Sequence, residues 1–168
     1  MAKLRKMLGD VNDQVCVDLM HLIETQSKET LALWALSYIK EYTKIYTSSC
    51  LNQTMDMVNR CLKNEVTIKD IKPYLKEARK DAASLNEPSS VAASKAIATA
   101  CAVLVTPSNA LGFLFYGAAA VAYHEAGVHA EQIVYDTYGR KEFLKAFKSL
   151  RQVAIEDEAH PVNIKWNC

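Results

Sequence analysis

From Ala96 to Tyr123 the chain runs for 28 residues without a charged side chain, AIATACAVLVTPSNALGFLFYGAAAVAY. Such a run must be covered by protein or by lipid, and a bilayer-spanning helix needs roughly 20 continuous apolar residues. Thr106-Pro107-Ser108-Asn109 divides the run into two pieces too short to span. Before the break, Ala93, Ala96, Ile97, Ala100, Cys101 and Leu104 recur at helical spacing. Thr106 suits the N-cap of a second helix and Pro107 its first turn, where proline gives up no hydrogen bond. The expected structure is a buried, Ala-rich helical hairpin at the centre of the fold, with Gly112 and Gly117 allowing close backbone approach.

The rest of the chain reads as further helices. Asp10 is placed to cap a first helix with the stripe Val11, Val15, Leu19, Leu22 and Ile23. Ser27 starts a second of about five turns, with Leu31, Trp34, Ala35, Tyr38, Tyr42 and Ile45 inward and Leu33, Leu36 and Ile39 widening the buried arc. A third follows Thr47-Ser48-Ser49. Thr67 and Asp70 have the spacing of a capping box, but Pro73 disfavours helical geometry at Lys72, so the expectation is a turn over 67–72 and a helix from Pro73 to about Leu85. Asn86-Glu87-Pro88 opens the central hairpin. Gly127 is expected to stop a helix and Gly139 to divide the last segment in two, the first part burying Ile133 and Val134 and the second Phe143, Phe147 and Leu150. No run alternates with period two. The fold class is therefore all-α, a compact bundle of about eight helices in a single domain over 1–168, with an irregular tail from about 157 to 168.

Composition limits the chemistry. With 20 basic and 19 acidic residues the net charge is +1, which argues against a general binder of nucleic acid. Five widely spaced cysteines without a CxxC pair suggest neither a disulfide framework nor a zinc ribbon. Thiols in a reducing compartment, and a basic N-terminus without an apolar stretch behind it, point to the cytoplasm. His124-Glu125-Ala126-Gly127-Val128-His129 resembles a zinc helix, but its histidines are five apart and diverge by about 140° around a helix. They reach one metal with Glu131 only if Gly127 breaks the helix. No phosphate loop or nucleophile motif is present, so neither a catalytic set, a cofactor nor a metal is expected.

Two features suit binding. Tyr38, Tyr42 and Tyr46 recur every four residues and form a half-buried edge with hydroxyls in water. Lys69, Lys72, Lys76, Arg79 and Lys80 form a basic stripe, aligned only if Pro73 leaves the helix intact. Lys141, Lys145, Lys148 and Arg151 make a second stripe. Tyrosine and arginine are favoured interface anchors, so the first two groups are the candidate partner-binding residues. Self-association through an apolar helix face is a further possibility for the bundle.

Trp34-Ala35 opens a long helix; Glu77-Ala78-Arg79 precedes a proline-started Ala-rich helix with Lys95-Ala96, and Thr106-Pro107-Ser108-Asn109-Ala110-Leu111-Gly112 leads into another. In this order of features residues 30–155 resemble the Imm-5-like immunity proteins, small all-helical bacterial proteins of toxin–immunity systems. The resemblance implies a protein that neutralises a cognate protein toxin by docking on it. Where the family carries histidines in the central hairpin, this chain has Thr99, Val105 and Asn109, so no functional residue is carried over.

Overall fold

The computed structural model describes residues 3–167; Met1, Ala2 and Cys168 lie outside them. Its helices are α1 (Gln14–Ile23), α2 (Lys28–Tyr38), α3 (Lys40–Thr43), α4 (Ser49–Leu62), α5 (Ile68–Lys80), α6 (Pro88–Cys101), α7 (Asn109–Ala126) and α8 (Gln132–Val153), with a 3₁₀ turn at Asp81–Ser84. Seven of these have ten residues or more, and no strand occurs among the described residues. None is long and apolar enough to cross a membrane.

The central hairpin is α6 against α7, the largest interhelical contact in the molecule. Glu87 begins it by accepting from the N–H groups of Ser89 and Ser90 at 3.1 and 2.7 Å, with Pro88 in the first turn. Burial works against ionising Glu87, but these bonds and the Ser89 hydroxyl outweigh it and hold the carboxyl down at about 2. Ala92, Ala93, Ala96 and Ala100 of α6 and Ala110, Ala118, Ala119 and Ala122 of α7 are all buried. Alanine side chains, rather than glycine, let the two helices approach. A Cβ on Gly112 would meet nothing closer than 3.8 Å, so that glycine is not required for the contact. Cys101 sits fully inside, its thiol pushed up to about 12 by burial.

Gly117 is required for a different neighbour. A Cβ there would lie 2.1 Å from the Tyr42 hydroxyl and 2.2 Å from its Cζ. The phenol of α3 thus occupies the position a Cβ at 117 would take, a space that only glycine leaves. It belongs to a cluster in which Tyr38, Tyr42 and Phe113 meet edge to face and Trp34 lies tilted against Phe113, with centroids 5.4–6.4 Å apart.

Several helix limits differ from expectation, each for a local reason. Asp10 accepts from Asn12 N–H at 2.9 Å and shapes a turn, so α1 begins only after Asp13. The second helix is interrupted at Ile39, where α3 starts. Thr106 and Pro107 carry 3₁₀-type bonds, from Asn109 N–H to Thr106 O and from Ala110 N–H to Pro107 O, and α7 proper starts two residues later. Gly139 does not divide α8. It lies inside the helix, where a Cβ would sit 3.6 Å from Leu8 and 3.7 Å from Ala118. The buried face of α8 is Tyr135, Gly139, Glu142, Phe143, Ala146 and Leu150, so Ile133 and Val134, expected inside, point outward. Gly127 does end α7, with φ +72°.

Beyond α8 the tail is irregular but anchored at the α1–α2 corner. The buried Gln26 side chain bonds both the N–H and the carbonyl of Ile155, and its own carbonyl accepts from Val162 N–H. Glu158 takes the N–H and hydroxyl of Ser27 at 2.8 and 2.7 Å, and Trp166 Nε1 donates to Glu24.

Gly117→Ala is expected to destabilise the protein by roughly 2–3 kcal/mol in urea unfolding, because overpacking meets a ring held on three sides. The two sites share one space, so the loss should not add to that of Tyr42→Ala: Gly117→Ala/Tyr42→Ala should be no less stable than Tyr42→Ala alone.

Candidate functional site

The α5 helix decides whether the basic stripe exists, and its start is set by its cap. Thr67 Oγ1 accepts from Asp70 N–H at 3.3 Å while Asp70 Oδ2 accepts from Thr67 N–H at 2.8 Å, a complete capping box. The helix therefore begins at Ile68 and runs to Lys80 with Pro73 inside it. This corrects the expected turn over 67–72 and the expected end at Leu85. Proline at this depth forfeits one backbone bond, and the cap together with the burial of Ile71, Leu75 and Ala78 holds the helix through it.

Continuity aligns the stripe. Taking Lys69 as origin and 100° per residue, Lys76 and Lys80 lie within about 20° of it, and Lys72 and Arg79 at about −60° and −80°. Ile71, Leu75 and Ala78 lie at about 180–240° and are buried. Lys69, Lys76 and Lys80 thus project away from the core, while Lys72 and Arg79 stand on one flank of the helix, Arg79 about 40° from Leu75; all five are exposed. Lys80 pairs with Glu77 at 3.3 Å.

The tyrosine edge does not exist as expected. Tyr38 and Tyr42 are 6% and 0% exposed, and only Tyr46 is half-buried. The hydroxyls of Tyr38 and Tyr42 are not in water; both donate to Glu142 Oε1, the second at 3.3 Å. Tyr38 and Tyr42 are therefore not available at the surface as partner contacts in this conformation. Both rings lie on the inward face of α2–α3, and that of Tyr42 enters the core over Gly117. Tyr46 donates to Asp81 Oδ2 at 2.9 Å, and Asp81 also accepts from Ser48 and Ser94.

Glu142, an acid that the sequence reading passed over, is 5% exposed. Burial pushes its carboxyl above the ordinary 4.5; the Tyr38 bond, the Lys145 charge and the Tyr42 bond oppose this, and Glu41 adds to it. The Tyr38 and Tyr42 hydroxyls are in turn held well above their ordinary range, by burial first and then by Glu142. The spacing of the buried positions on α8 was the available signal, since Glu142 stands seven residues after Tyr135 and eight before Leu150.

Sequence reasoning also missed the exposed apolar surface on the outside of α2. Leu33, expected inside, is 54% exposed, and Val153 and Ile155 are 52% and 51% exposed. An open groove of about 570 Å³ between α2–α3 and α4 is lined by Leu33, Leu36 and Met55 together with Ser37, Lys40, Thr43, Thr47, Asn52, Asp56 and Asn59. Leu33 and Ser37 also border a hollow of about 260 Å³ against Trp34, Val153 and Ile155.

His124 and Glu125 are exposed at the end of α7, and Gly127 breaks the helix before the exposed His129. Despite that break, no group of three or more His, Cys, Asp or Glu among the described residues is arranged to hold a metal ion. The Tyr135 hydroxyl instead orders this corner, donating to Gly127 O and accepting from Ala130 N–H. The second basic stripe is exposed on α8, where Lys145 approaches Glu41 at 3.7 Å and Arg151 lies over Phe147.

A helical protein without a metal cluster among its described residues fits many roles, and comparison with known proteins narrows them. A family described as Imm-5 like putative immunity protein matches residues 21–140. The chain belongs to this family. The matched span runs from the end of α1 through the first turns of α8, and so contains the central hairpin and all of α5. No curated protein and no solved structure matches the chain.

For Glu142 the folded carboxyl is raised, so the stability it contributes is complete below 4.5 and is lost as pH rises through the folded value. Glu142→Gln removes that dependence. Urea midpoints compared at pH about 5 and about 8 should fall for the native chain relative to the variant; parallel curves would show that the carboxyl titrates normally.

Proposed function

We propose that this protein is an immunity protein that acts by binding: it docks on a cognate bacterial toxin and blocks it. Membership of the Imm-5-like family over residues 21–140 is the observation that carries this reading. It asks for a rigid body with an exposed recognition surface, and the fold supports both demands. The core is one continuous cluster from Leu8 to Leu150, and the basic residues Lys69, Lys72, Lys76, Arg79 and Lys80 stand outside it in one row. Tyr46 contributes a half-buried ring near the end of the same helix through its bond to Asp81. Tyr38 and Tyr42 serve the surface indirectly, by fixing α3 against α7 and α8.

Such a protein needs no catalytic group, metal or cofactor, because blocking requires shape and charge complementarity alone. The site of action in this reading is the cytoplasm of the producing cell, where the toxin would otherwise do harm.

The test uses the full chain as bait in lysate of its native cell. A single stoichiometric protein should be retained, should arrest growth when produced alone, and should become harmless when this chain is produced with it. A retained protein that leaves growth unaffected, or an empty capture from cells that make the neighbouring gene products, would overturn the assignment.

A further inference from the structure

The chemistry of the partner can be read from how charge is divided on α5. Its two acids, Asp70 and Glu77, lie at about 100° and 80° from Lys69, on the flank facing α4. Their position there is marked by Cys61 and Cys50 of α4, whose thiols are raised by burial and then by Asp70 in the first case and by Asp81 and Glu77 in the second. Both acids are occupied, Asp70 with the Thr67 cap and Glu77 with Lys80. On the opposite, outer flank, from about −80° to 0°, Lys69, Lys72, Lys76 and Arg79 have no carboxylate within ion-pair distance among the described residues. A chain with a net charge of only +1 has therefore collected a row of unpaired, exposed cations about 15 Å long along one side of a helix.

We propose that the outer flank of α5 is the docking surface and that it fits an acidic patch on a protein partner, an inference that rests on the binding reading above. Four like charges at neighbouring helix positions repel one another, and a partner carboxylate row relieves that repulsion on contact. The same field steers the encounter, so association is fast and salt-dependent. The geometry fits a rigid row opposite a rigid row, because the capping box and the burial of Ile71, Leu75 and Ala78 fix α5 before the partner arrives.

The test does not need the toxin. The full chain, labelled with nitrogen-15, is titrated at low salt with an oligoglutamate peptide, with an oligolysine peptide as control and with a short DNA duplex. The expected result is amide shifts confined to residues 68–84 with oligoglutamate alone. They should weaken at physiological salt, and the neutralised variant Lys69→Gln/Lys72→Gln/Lys76→Gln/Arg79→Gln should lose roughly tenfold or more in affinity. All four positions are exposed, so the variant should keep its helical circular dichroism; if it does not, Lys72→Gln/Arg79→Gln replaces it. Shifts elsewhere, shifts unchanged in the variant, or DNA binding to α5 more tightly than the peptide would overturn the acidic-protein assignment. The toxin reading would still stand if the native chain and the variant then captured one neutralised toxin equally well, since docking would use another face.

Discussion

The buried carboxyl of Glu142 and the glycine at 117 together fix where four helices, α2, α3, α7 and α8, meet. Glu142 brings the hydroxyls of Tyr38 and Tyr42 to one point on α8. Gly117 leaves the only space in which the Tyr42 ring can reach that point without striking α7. A buried acid is costly unless hydrogen-bonded, so the tyrosines and the acid require one another. Removing Glu142 takes the shared acceptor from both buried hydroxyls, whereas removing one tyrosine leaves the acid bonded to the other. The aromatic cluster of Trp34, Tyr38, Tyr42 and Phe113 closes around this point and ties α2 and α3 to the central hairpin.

From this junction the division of labour among the elements follows. The hairpin of α6 and α7 is covered on nearly every side and has little surface to offer. α5 is the opposite case. It buries one narrow stripe, Ile71, Leu75 and Ala78, and leaves the remainder of its circumference outside. The inner helices set the shape, and the peripheral helix carries the charge. A binding protein gains from this arrangement, because residues on the outer face can change without disturbing the packing that positions them.

Helical content, the central hairpin and the basic row were all legible in the chain. Alanine-rich runs interrupted at Thr106-Pro107 leave few alternatives to two packed helices. The starts at Ser27 and Glu87 were legible for the same local reason, since capping side chains sit next to the backbone they serve. Pro73 and Gly139 misled because each is a breaker in isolation. In the folded chain the capping box and a packed face hold the helix through Pro73, and Gly139 lies on the buried face of α8, whose packing beside Leu8 and Ala118 carries the helix through it. The tyrosine row misled in the other direction. Regular spacing put all three rings on one half-buried edge with hydroxyls in water, whereas Tyr38 and Tyr42 are buried and their hydroxyls bond Glu142.

The sequence by itself determined that the protein is helical, where helices such as those after Ser27 and Glu87 start, and that its charge nearly cancels overall. These are local or additive properties, set by neighbours along the chain or by simple counting. Which face of each helix is covered, and by what, was decided only by the tertiary structure. Leu33 and Ile133 fit an apolar stripe as well as Leu31 and Tyr135 do, yet the former are exposed and the latter buried. Burial depends on which helices arrive opposite, and here that is governed by contacts between residues about a hundred positions apart, such as Tyr38 and Tyr42 with Glu142.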